Sequence, residues 1–148
     1  MIIKCKLKPY IQPFEKELAL NELASISNST PKLLPTLNSE PLEYEILSDI
    51  LANVIAEKLA YWEYILTENK CYFTTQVIRE ATVNIVCSDI APEKIVKEIV
   101  FRGETSLPNR RCLRYGTHGI HEYRGKFFPQ LVRSLINISH RGRIPFEN

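Results

Sequence analysis

The first 101 residues of the chain contain no glycine. All five glycines (103, 116, 119, 125 and 142) lie in the last 47 residues, together with all three histidines (118, 121 and 140) and eight of the nine arginines. Charge divides at the same place. Residues 1–101 carry 10 Lys+Arg against 14 Asp+Glu, a net −4, whereas residues 102–148 carry 9 against 3, a net +6. A body and a tail of different chemistry are therefore expected, with any functional chemistry concentrated in the tail.

At 148 residues the chain has the size of one domain with a real core. Its 45% apolar and 24% charged content exclude wholesale disorder. Nowhere do eighteen apolar residues run without a charge, and the basic start Met1–Lys8 is too short for a signal peptide, so no membrane span and a cytoplasmic location are expected. Cysteines 5, 71, 87 and 112 form no CxxC pair and read as four reduced thiols.

Periodicity predicts a mixed α+β body. Ile2–Lys8 alternates as a short strand ended by Pro9. Phe14, Leu18, Ala19, Leu23 and Ile26 recur at helical spacing after Pro13. From Leu42 to Leu66 apolar residues (Ile46, Leu47, Ile50, Leu51, Val54, Ile55, Leu59, Trp62, Ile65) keep a stripe of about seven turns, which predicts one long amphipathic helix. Strands are expected over 71–78 and 81–87, and a short helix over Ile95–Val100. Residues 102–125 then read as a basic, glycine-containing loop. A last helix begins at Pro129, with Leu131, Val132, Leu135, Ile136 and Ile138 as its apolar positions. The expected division is 1–101, 102–125 and 126–148.

Within the tail, Arg110, Arg111, Arg114, Arg124, Lys126 and Arg133 alternate with Tyr115, Tyr123, Phe127 and Phe128. Cations interleaved with aromatics suit phosphate neutralisation and base stacking. The same residues also suit a solvated basic loop anchored by its aromatics. Cys112, His118 and His121 match no standard structural zinc spacing, so no metal is expected. No GxGxxG, GxxxxGK[ST] or GxSxG occurs, and only two aspartates are present, so no catalytic residue is assigned.

Residues 114–136 carry a more specific signal. His121-Glu122-Tyr123-Arg124-Gly125-Lys126-Phe127-Phe128-Pro129, followed by Leu131, Arg133, Leu135 and Ile136, resembles the segment that leads into the core of S-adenosylmethionine-dependent DNA amino-methyltransferases of the N4-cytosine/N6-adenine group. In that family a His-x-Tyr-x-(Ala/Gly)-Lys-Phe-x-Pro stretch opens a helix of the pattern Leu-x-Arg-x-Leu-Ile. The resemblance implies that His121, Tyr123, Lys126, Phe127, Phe128 and Pro129 wall the methionine end of a cofactor pocket. An aromatic face would meet the sulfonium, and Lys126 the carboxylate. Glu122 stands where the family often has proline, which removes a fixed φ from the loop.

The family's Asp-Pro-Phe-x-Gly-x-Gly turn and Pro-Pro catalytic motif do not occur in the 148 residues. The resemblance therefore implies an amino-terminal part of such an enzyme, ahead of a missing Rossmann-like core and inactive alone. S-adenosylmethionine would be the cofactor of the complete enzyme and would not bind this chain by itself. Its partners would be DNA and a polypeptide carrying the core, as in restriction-modification. The alternative is a small non-enzymatic nucleic-acid-binding module that uses the basic tail.

Overall fold

The computed structural model describes residues 1–9, 11–35, 42–78 and 129–141. Five strands form one antiparallel sheet: β1 (Ile2–Leu7), β2 (Lys32–Leu33), β3 (Glu43–Leu47), β4 (Trp62–Leu66) and β5 (Cys71–Phe73), in the order β2-β3-β1-β4-β5. Among the described residues the sheet is accompanied by α1 (Pro13–Ser27), α2 (Ala52–Lys58) and α3 (Pro129–His140), besides a helical stretch at 75–78. The architecture is mixed α and β, as the periodicity predicts.

Strand β1 is central because its alternation serves two partners. Ile3 and Cys5 lie opposite Ile46 and Tyr44 of β3, and Cys5 and Leu7 opposite Ile65 and Trp62 of β4. These seven side chains are buried together with Ala19, Leu23 and Ile26 of α1 and Ala52, Ile55 and Ala56 of α2. Trp62 packs edge-on against Tyr44, with ring centroids 5.7 Å apart, and its indole N–H donates to the Ala19 carbonyl at 3.3 Å. That bond satisfies the ring's one polar atom inside the core. On the opposite face Lys4 stands across from Glu45 and Lys6 across from Glu43, favourable cross-strand pairs. The alternation on β4 slips at Glu63, where a bulge separates the Lys6 and Leu7 pairings.

Local chemistry sets the bounds of α1. Pro13 occupies the first turn, and the Gln12 backbone N–H donates to Glu15 Oε2 at 2.6 Å. At the other end Asn28 adopts φ 53°, the left-handed cap that asparagine tolerates well.

The long helix expected over 42–66 is not formed. That stretch is strand β3, helix α2 and strand β4. Its apolar residues fit two periods at once, and the sheet decides between them: β1 presents backbone groups on both edges, and β3 and β4 satisfy them. Ser48 marks the break, accepting the Ile50 N–H at 3.1 Å and donating to the Ser27 carbonyl at 3.1 Å. Strand 71–78 is also shorter than expected. After Phe73 the Thr74 hydroxyl accepts the Val77 N–H at 3.2 Å, and residues 75–78 are helical. The strand expected over 81–87, the helix over 95–100 and the loop over 102–125 lie outside the described residues.

Candidate functional site

The helix expected at Pro129 is present, but it is turned the other way from what its pattern suggests. Three of its residues are buried, Gln130, Ser134 and Asn137, and all are polar. They recur at i, i+4 and i+7 and so form one face. Of the five apolar positions, Val132, Leu135 and Ile136 are exposed, while Leu131 and Ile138 are half-buried.

The polar face meets α1 and the corner between α2 and β4. Glu22 of α1 is fully buried there. The Asn137 amide donates to Glu22 Oε1 at 2.6 Å and to the Lys58 carbonyl at 2.9 Å. The Ala60 N–H donates to both Glu22 oxygens at 3.1 Å. Arg133 donates through Nη2 to the Glu57 carbonyl, at the end of α2. Burial pushes the Glu22 carboxyl up to about 7, against the opposing pull of Asn137, the Ala60 and Tyr61 N–H groups and the Arg133 charge.

Elsewhere the described residues offer less. A cavity of about 550 Å³ is lined by Met1, Ile2, Leu51, Glu68, Lys70 and Tyr72 among others, with Lys70 Nζ 4.8 Å from the Tyr72 ring centroid. The amino terminus at its edge is engaged with the Ser48 carbonyl at 2.7 Å. On the sheet face away from the main core Lys6 Nζ lies 3.5 Å from Glu63 and 5.4 Å from the Tyr64 ring centroid, and burial with the nearby Glu43 charge pushes the Tyr64 phenol up to about 12. Burial raises the Cys5 thiol well above its ordinary value, so this sulfur packs in the core as a small hydrophobe.

Of the cofactor-wall residues read from the sequence, Pro129 begins α3 and is half-buried; His121, Tyr123, Lys126, Phe127 and Phe128 lie outside the described residues. Of the basic set, Arg133 is engaged at the α2 end, and Arg110, Arg111, Arg114 and Arg124 lie outside. Glu22 and Asn137 were not singled out by the sequence reading. A signal exists for both: Glu22 shares the 19, 22, 23, 26 face of α1 with core residues, and Asn137 belongs to a polar face as regular as the apolar one.

No helix among the described residues is long and apolar enough to cross a membrane. No family model, no curated protein and no solved structure matches the chain.

Proposed function

We propose that this chain is the amino-terminal region of an S-adenosylmethionine-dependent DNA amino-methyltransferase and that α3 is the helix leading into its catalytic core. The observation that carries the reading is the orientation of α3. Val132, Leu135 and Ile136 point away from the body while polar residues fill the contact with it. These outward positions fall in the Leu-x-Arg-x-Leu-Ile part of the segment that resembles such enzymes. Burying one such side chain is worth about 1.5–3 kcal/mol, so a helix with this face open gains from a further apolar surface.

The bound cofactor would supply a methyl group to an exocyclic base nitrogen. By residue type Phe127 or Phe128 suits the sulfonium and Lys126 the carboxylate, which makes one wall of a pocket. One wall does not reach the roughly −8 kcal/mol of a micromolar site, so the chain alone binds the cofactor weakly and transfers no methyl group. The target base would be taken out of the duplex, as enzymes acting on bases require.

Titration of the chain against a methyltransferase core of that group, made without its own leading helix, tests the reading. Association that Leu135→Ser abolishes is the expected result. Methyl transfer to DNA by the chain alone would overturn it, as would failure to associate with the core.

One observation favours the alternative of a small nucleic-acid-binding module: the buried Gln130, Ser134 and Asn137 make α3 an integral part of the body. Such a module binds duplex DNA by itself, with affinity falling along a log–log line as salt is added.

A further inference from the structure

The corner where α1, α2, β4 and α3 meet contains one carboxylate and a ring of donors. Glu22 is fully buried, and its oxygens accept from Asn137 Nδ2 at 2.6 Å and from the Ala60 N–H at 3.1 Å. The Tyr61 N–H also donates to it, and the Arg133 guanidinium adds positive charge. The carbonyls of Lys58 and Glu57 at the same corner accept from Asn137 and Arg133. The donor set favours the carboxylate, and burial favours the neutral acid.

We propose that Glu22 is a proton-sensitive latch for α3, whose charge state sets how firmly the helix is held against α1 and the α2–β4 corner. The residues it joins are 115 positions apart, so the latch ties the end of the described chain to its first helix. Four elements present charged or titratable groups to this corner. Arg133 comes from α3, Tyr61 precedes β4 with its phenol near both Glu15 and Glu22 of α1, and Glu57 and Lys58 end α2 with their carbonyls turned toward α3.

The opposing forces leave the carboxyl at about 7 in the closed structure, raised from 4.5. A raised folded value means that the closed state holds a proton which the open, hydrated state has released. The latch is therefore firmest below the ordinary carboxylate range. It loosens as pH rises toward 7, by up to about tenfold in the closed-to-open ratio per pH unit, and levels off above.

Hydrogen exchange of the α3 amides in the full 148-residue chain, corrected for intrinsic rates, reads this directly between pH 5 and 8. The expected result is protection that falls with pH in the wild type and stays flat in Glu22→Gln, which keeps an acceptor for Asn137 and removes the titration. Carbon-detected titration of the Glu22 carboxyl should give a midpoint near neutrality, moved further up in Asn137→Ala by the loss of a donor. A wild-type midpoint in the ordinary carboxylate range would overturn the proposal, as would an equal pH slope in Glu22→Gln. The wild-type titration decides the matter even if the glutamine variant does not fold.

Discussion

Helices α1 and α3 lie against each other and solve the same problem in opposite ways. Helix α1 buries Ala19, Leu23 and Ile26 on the sheet and carries the fully buried carboxylate of Glu22 into the same interior. Helix α3 has the cleaner separation of polar and apolar faces, yet it docks through Gln130, Ser134 and Asn137 and turns Val132, Leu135 and Ile136 outward. An amphipathic pattern therefore specifies that a helix has two faces, not which of them meets the rest of the chain. The polar docking of α3 brings to the buried Glu22 a donor that a leucine face could not provide.

The comparison breaks most visibly in the core. Leu23→Ala, at a site with no solvent exposure, should cost about 2–5 kcal/mol. Leu135→Ala, in a side chain 47% exposed, should change stability by about 0.5 kcal/mol or less. Denaturant unfolding of the two variants checks both, and equal losses would mean that the α3 face is covered. A smaller effect is expected at the junction. Asn137→Ala removes a donor from a buried carboxylate and should cost about 1–3 kcal/mol. In hydrogen exchange that loss should appear in α3 first, with β1, β3 and β4 still protected. The smallest effect sharpens the contrast from the outside. Replacing Val132, Leu135 and Ile136 together by serine should leave the unfolding midpoint nearly unchanged while raising solubility, measured as the concentration at which the chain precipitates.

Parts of this molecule are legible in its sequence because they depend on near neighbours. The β1 alternation, Pro13 at the head of α1 and Pro129 at the head of α3 are local devices, and each appears where its residues predict. The stretch from 42 to 66 is not legible in this way. Its stripe at helical spacing also contains the Glu43-Tyr44-Glu45-Ile46 alternation and the aromatic run Tyr61-Trp62-Glu63-Tyr64, both suited to strands. Ser48-Asp49 was the available sign that the helix would break there.

By itself, then, the amino-acid sequence determined the mixed composition of elements, the starts of α1 and α3 and the two-faced character of α3. Tertiary structure alone decided that residues 43–47 and 62–66 become strands, because β1 offers backbone partners on both sides that no local propensity can register. It also decided which way α3 turns. A buried carboxylate acts over a sequence distance of 115 residues, and α3 meets it with a donor that an aliphatic face could not offer.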